Sequence, residues 1–300
     1  MRRITSVLIG LLVTVSSLAQ EPVQRPPVYG IAYVRIHVTD LKKSTTFFKT
    51  VLGLIPGMHP CAEAYVACYW LSGQQVVQID PLDVGRPENL VKEIGFWTSD
   101  IKKMREFLLS QGIDPGPPMT GPGANPSIGI PDPEGNWMFF VQRPKIDSSI
   151  HNSQVSTHLI HVGFVVKNRA AEDHFYKDIL GFHLYWHGGM KDDESNWVDM
   201  QVPDGTDWIE YMLNVPANAD HHTLGVMNHI ALGVPDIKAA REQLIKNGWT
   251  GTEQPKIGRD GKWQLNLYDP DDTRVEFMEF TPTQKPCCSE YTGPHPGPKP

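Results

Sequence analysis

Two histidines and two glutamates give this sequence its chemistry. His161 is the third residue of LIHVGFVVKN and His229 the third of MNHIALGVPD. Glu210 follows His161 by 49 residues in DWIEYML, and Glu276 follows His229 by 47 in TRVEFME. Imidazole nitrogens and carboxylate oxygens hold divalent cations, and a glutamate in such a place can also move a proton. Taken singly, a strand histidine is more often a hydrogen-bonded core residue and a strand glutamate more often faces water. The four stand out because they fall at matching places in two copies of one unit.

That unit occurs four times. IAYVRIHVTD (Ile31 to Asp40) and VKEIGFWTSD (Val91 to Asp100) are the two earlier copies, with Tyr33 and Glu93 where the later ones have histidine. Seven positions on, each copy has Asp40, Asp100, Asn168 or Asp236, residues that N-cap a helix. An amphipathic stretch follows, and then Gly53, Gly112, Gly181 or Gly248, suited to a left-handed helix C-cap. Further strands close each unit, among them GQQVVQID, DWIEYML and the paired endings DPEGNWMFF and DPDDTRVEF. A repeat of this regularity sets the fold before any single residue is read. Two units make a half: residues 28–145 and 157–281, joined by a linker around 144–156 and followed by a Pro/Gly-rich tail, 282–300, expected to be mobile. On a strand every second side chain shares a face, so His161 lies with Gly163 and Val165, and His229 with Ala231 and Gly233. Small neighbours leave room beside each imidazole.

The four strand–Asp/Asn–helix–Gly units, and the segments AYVRIHVTDLKKSTTFFKTVLGL and IHVGFVVKNRAAEDHFYKDILGF, resemble the vicinal oxygen chelate superfamily. It includes glyoxalase I, methylmalonyl-CoA epimerase, extradiol dioxygenases and bleomycin-resistance proteins. The resemblance covers nearly all of the chain beyond its first residues. It implies an α+β fold in which four βαβββ units pair into two cup-shaped mixed sheets. It also implies that the inner positions of the first and last strands of a unit pair bind a divalent metal. In the second half those positions are His161, Glu210, His229 and Glu276, and the expectation is one divalent metal per chain: Zn, Ni, Fe(II), Mn or Co. In the first half they are Tyr33, Gln78, Glu93 and Phe139; two ligands are gone, and with Arg35 and His37 the remainder suggests a polar network or an organic pocket.

The resemblance implies three functions. In the first, a small oxygenated substrate chelated to the metal loses and regains a proton, as in a lyase or isomerase, with Glu210 and Glu276 as the candidate bases and Glu210 as the exchangeable ligand. In the second, His161, His229 and Glu276 form the facial triad of an Fe(II) or Mn(II) dioxygenase of catechol-like substrates. His221-His222-Thr223 resembles the dioxygenases' His-His-Thr run and marks His222 as a candidate acid/base. It departs from them in lying only seven residues before His229, and in having Asn266, with Tyr268 nearby, where they have tyrosine. The third is a non-enzymatic small-ligand binder, against which the retained ligand set speaks.

Composition bounds the rest. Three hundred residues accommodate two domains, and a formal net charge of −7 without a basic run argues against a nucleic-acid partner. Arg2-Arg3, the apolar run Val7 to Val15 and Ser17-Leu18-Ala19 read as a secretory signal peptide over 1–19; the run is short for a membrane anchor. The expectation is an exported protein, periplasmic or secreted, with no membrane association after cleavage. Cys61 and Cys68 can pair in such a compartment, while Cys287-Cys288 fall in the tail. Two fused halves can build both cups within one chain, leaving monomer and homodimer open.

Overall fold

The computed structural model describes residues 22–57, 66–83, 85–120, 125–143 and 153–299. Residues 1–19, where a signal peptide is expected, and Cys61 lie outside these residues; Cys68 is disulfide-bonded. No described helix is long and apolar enough to cross a membrane.

Each repeat forms as its pattern dictates. The first comprises β1 (Val28–Val38), α1 (Leu41–Thr45, continued by a π-helical turn Thr46–Val51), β2 (Ile55–Gly57), β3 (Ala67–Ser72) and β4 (Gln75–Pro81). The second is β5 (Val91–Thr98), α2 (Ile101–Ser110), β6 (Ser127–Pro131) and β7 (Trp137–Gln142). The third is β8 (His158–Val165), α3 (Arg169–Glu172, again with a π-helical turn, Asp173–Ile179), β9 (His183–Gly188), β10 (Trp197–Gln201) and β11 (Trp208–Met212). A short helix not foreseen from the repeat, α4 (His221–Met227), precedes the fourth: β12 (His229–Val234), α5 (Ile237–Lys246), β13 (Lys256–Ile257), β14 (Trp263–Tyr268) and β15 (Arg274–Glu279). Asp40, Asp100 and Asp236 each accept two backbone N–H groups of the first helical turn, and Asn168 accepts from Ala171 N. Gly53, Gly112, Gly181 and Gly248 all have positive φ, where a side chain would be strained.

The strands form two mixed sheets, β2-β3-β4-β1-β5-β7-β6 and β13-β14-β15-β12-β8-β11-β10-β9. In both, antiparallel first strands sit at the centre and each is flanked by the parallel last strand of its own unit. Helices and sheet backs bury one shared apolar core, from Ile31, Phe48 and Phe96 to Phe164, Tyr211 and Phe277. The architecture is the α+β, two-cup arrangement that the repeats imply.

Repeat-equivalent residues bind the halves together. Gln75 accepts from Leu159 N (2.7 Å), and Asp207, its counterpart, accepts from Ile31 N (2.8 Å), the counterpart of Leu159 N. Gln75 also donates to Ile31 O and Leu159 O. Likewise Asp271 accepts from Thr39 N (2.8 Å), while Glu134 accepts from Lys167 N and Asn168 N (2.6 Å each).

The tail corrects the sequence expectation. Residues 282–299 do not hang free but run back along the second sheet. Thr292 N donates to Tyr185 O, Gln201 Nε2 to Pro294 O, and Lys299 Nζ approaches Asp207. Proline-rich chain without internal hydrogen bonds can still be fixed when a sheet edge offers partners.

Asp207 is fully buried, and His158 Nε2 lies 2.6 Å from it. Burial alone would raise its carboxyl, but Lys299 and His158 outweigh this and hold it below the ordinary value. Asp207→Ala removes the partner of Ile31 N–H and of His158 Nε2, and should cost about 2–4 kcal/mol in urea unfolding. A depressed carboxyl stabilises above its unfolded value and loses that contribution as pH falls through its folded value. The gap between wild type and variant should therefore be full above about pH 4 and shrink in more acid solution. A gap unchanged by pH would contradict an ionised Asp207.

Candidate metal centre

The four residues expected to act together do meet, and strand order is the reason. β15, β12, β8 and β11 are adjacent in that order and carry Glu276, His229, His161 and Glu210 in turn. Gly163 pairs with His229 on one side and Glu210 on the other; Ala231 pairs with His161 and Glu276. Each small residue thus sits between an imidazole and a carboxylate on neighbouring strands, and both pairs lean over it. His161 Nε2 and His229 Nε2 lie 3.1 Å apart. Glu210 Oε2 is 3.0 Å from His229 Nε2 and 3.6 Å from His161 Nε2, and Glu276 Oε2 is 3.7 and 3.9 Å from them. A Cβ on Gly163 would stand 2.1 Å from His229 Cε1, so only glycine leaves room for the ring.

The protonation pattern suits a cation. His229 Nδ1 lies 3.0 Å from Met227 O and must donate to it. Its Nε2 therefore carries the lone pair, which faces the cluster. Arg274, a donor-only group, confirms this by approaching that nitrogen at 2.7 Å; its guanidinium stands where a positive ion would. Burial drives both imidazoles well below their ordinary values, with Arg274 adding to the effect, so they are neutral. Burial pushes Glu210 and Glu276 up to about 7, with Arg274 opposing in each case. Two neutral imidazoles and two crowded carboxylates are a donor set suited to a divalent cation, and Arg274 meets part of it.

Trp208 backs His161, with ring centroids 4.7 Å apart. Behind Trp208 lies the fully buried Lys262, its ammonium over the rings of Trp208 (4.7 Å), Tyr291 (5.2 Å) and Tyr185 (5.3 Å). Three of the four candidate ligand residues, His161, Glu210 and Glu276, line a cavity of about 380 Å³, together with Asp199, Trp186 and Trp197. Arg274, Lys262 and Asp199 were not recognised from sequence. Arg274 alone had a signal, since it sits two residues before Glu276 and so shares its strand face.

His222 is not brought into this group. It lies on exposed α4, its Nδ1 3.6 Å from Asp272 and its ring 5.7 Å from Tyr268, and it does not line the cavity. In the first cup the equivalent of Gly163 is Arg35, a long cationic side chain where the second cup has none. It donates to Gln78 Oε1 at 2.9 Å and lies 3.5 Å from Glu93, which also accepts from Tyr33 Oη at 3.2 Å. The polar network expected there is present.

With this geometry in view, comparisons with other proteins agree. Residues 158–277 match the profile of the Glyoxalase/Bleomycin resistance protein/Dioxygenase superfamily. That stretch is therefore similar to the superfamily, the vicinal oxygen chelate group. Sequence comparison with curated proteins finds no match. Similar solved structures include homoprotocatechuate 2,3-dioxygenase from Brevibacterium fuscum in its anaerobic complex with 3,4-dihydroxyphenylacetate: 18% identity, TM-score 0.62, covering 93% of this chain and 86% of that one. Another is the Mn(II)-bound glyoxalase from Novosphingobium aromaticivorans: 17% identity, TM-score 0.62, covering 85% of this chain and 83% of that one. At such identities the likeness establishes the fold.

Gly163→Ala should fold yet bind Mn(II) on the order of tenfold or more weakly, because the methyl group displaces the His229 ring; equal affinity by titration calorimetry would contradict the packing described. A cation must also displace protons from carboxyls raised to about 7. Affinity should hold above that pH and fall below it, by about tenfold per pH unit for each proton released.

Proposed function

We propose that the chain is a metal-dependent vicinal oxygen chelate enzyme, a glyoxalase-like lyase or isomerase that moves a proton on a small oxygenated substrate. One divalent cation per chain is held by His161, Glu210, His229 and Glu276. The observation that carries this reading is the second carboxylate. Glu210 completes a four-ligand set where a facial triad needs three.

A divalent cation there would supply Lewis acidity toward the two vicinal oxygens of a chelated α-hydroxycarbonyl and so acidify the C–H of the hydroxyl-bearing carbon. The rest falls to the chain. Glu210 is the more open carboxylate, its side chain 13% exposed against 4% for Glu276, and it borders the cavity. That favours Glu210 as the group that swings from ligand to base, with Glu276 fixed beside Arg274 at 3.8 Å. Burial, which raises Glu210 toward neutrality, also makes it a fitting proton carrier near pH 7. His161 is held against Trp208 and His229 is oriented by Met227 O, so both imidazoles are preorganised. Trp186 and Trp197 supply apolar walls that exclude water from the reacting carbon. An exported location, with a sugar, hydroxy acid or aromatic degradation product as substrate, accompanies this proposal.

A second reading, ring cleavage of a catechol, draws on the likeness to a dioxygenase whose complex holds 3,4-dihydroxyphenylacetate. The exposed His222 and the presence of Glu210 at the centre weigh against it. The third reading, sequestration without chemistry, draws nothing from the ligand set.

Metal analysis of protein purified without added metal should return about one divalent ion per chain, and much less for His229→Ala. In the loaded protein, α-hydroxycarbonyl compounds should exchange their α-proton with deuterated solvent. Glu210→Gln should lose that exchange by about 10²–10⁴-fold while keeping metal. Oxygen uptake with catechols and no deuterium incorporation would replace this reading with the second.

A further inference from the structure

The tail that corrects the sequence expectation also carries a disulfide between adjacent residues, Cys287–Cys288. Neither cysteine is fully buried, so a reductant can reach the bond. Its surroundings tie it to the metal-site cavity on two sides. Cys287 O accepts from Trp186 Nε1 (3.2 Å), and Cys287 N donates to Arg259 O (2.8 Å); Trp186 and Arg259 both line the cavity. The Arg259 guanidinium reaches across to Gly189 O (3.2 Å), to Asp192 and to within 3.9 Å of Cys288 Sγ, so it fastens the loop between β9 and β10 to the same turn. Directly after the disulfide, Ser289 Oγ accepts from His187 N (2.9 Å) and donates to His187 O (3.1 Å), extending β9 outward. Tyr291 then stacks on Tyr185 at 4.7 Å, Tyr185 on Trp208 at 5.1 Å, and Trp208 on His161. Cys287 itself packs against the cluster of Tyr185, Trp186 and Trp208, and Trp208 lies against His161.

Cys288 has φ +72°, a left-handed conformation that a non-glycine residue adopts only when its surroundings impose it. Cys288 sits within the ring closed by the two sulfurs, and Ser289 N closes the turn around it on Cys287 O at 2.7 Å.

We propose that Cys287–Cys288 is a redox site whose reduction unlocks the tail and loosens the cavity wall it supports. The consequence for the cavity rests on the metal-site reading above; the redox site itself does not. The reductant is a dithiol. Its thiolate attacks Cys287 Sγ, the Cys287–Cys288 bond breaks, and the electron pair leaves on Cys288 Sγ, where Arg259 stabilises the negative charge. The second thiol of the reductant resolves the mixed disulfide. Two electrons and two protons pass to the cysteines, and the dithiol departs as its own disulfide. Without the ring, Cys288 relaxes toward negative φ. Ser289 and the Cys287 carbonyl then lose their places against His187 and Trp186.

Hydrogen–deuterium exchange by mass spectrometry tests this on the full chain. It should be run as purified, after dithiol treatment with the dithiol removed under anaerobic conditions, and as Cys287→Ser/Cys288→Ser. Exchange over residues 287–295 and 186–189 should quicken on the order of tenfold in both reduced states, with residues 229–234 unchanged, and reoxidation should restore the original rate. Identical exchange in oxidised and reduced wild type, or failure of the dithiol to make Cys287 and Cys288 alkylatable as located by peptide mapping, would overturn the proposal; mapping separates them from Cys68, which is also disulfide-bonded. Mn(II) stoichiometry measured on the oxidised sample separates the two readings. Absent metal with redox-dependent exchange counts against the metal centre alone; bound metal with unchanged exchange counts against the redox site alone.

Discussion

The site depends on the absence of side-chain volume at two points. Gly163 and Ala231 each lie between a histidine and a glutamate on flanking strands, and the four candidate ligand groups converge because nothing stands between them. At Gly163 the tolerance is zero, since a single methyl would overlap the His229 ring. The first cup shows the alternative outcome. Arg35 replaces the glycine, and Gln78 and Glu93 turn from would-be ligands into its polar partners. One cup presents its acceptors to a cavity; in the other Arg35 engages them. The same backbone serves both.

Around the hollow cup the protein accumulates buried charge. Glu210, Glu276, Asp199 and Asp260 are opposed by Arg274 and Lys262, all within or just behind the second sheet. Burying so many ionisable groups is costly unless they are paired, and the pairing here is incomplete without a cation. Arg274 partly substitutes for one by placing its guanidinium on the His229 lone pair. Lys262 is accommodated differently, boxed by three aromatic rings whose faces favour positive charge. That box is closed by Tyr291 from the tail, so a segment that looks dispensable completes the electrostatic setting of the site.

The halves hold each other in register through groups at equivalent positions, Gln75 with Asp207 and Glu134 with Asp271. These residues satisfy backbone N–H groups of the partner half that would otherwise be buried without acceptors. Position rather than residue type is kept: Gln and Asp differ, yet each offers an oxygen at the same place. The central strands β1 and β8 are therefore fixed from both halves, and β8 carries His161.

Much of this was legible in the chain. The capping aspartates, the helix-ending glycines and the alternating strands announce themselves locally, because caps, turns and strand faces depend on residues a few positions apart. The repeat then placed His161, Glu210, His229 and Glu276 at equivalent points and marked Tyr33 and Phe139 as losses. Sequence could not show that Arg35 engages Gln78 and Glu93 in the first cup, because that follows from cross-strand neighbours that pair only in the folded sheet. Nor could it place Lys262 among Trp208, Tyr185 and Tyr291, residues far apart along the chain. His222 looked chemical beside His221 and Thr223, but the orientation of α4 turns it to solvent. The tail read as mobile from its prolines and glycines, and only the exposed edge of β9 and the buried Asp207 decided otherwise. Local order was written in the residues. Which side chains share a volume was settled by strand order and packing, because neighbours across a sheet are chosen by the fold and not by adjacency in the chain.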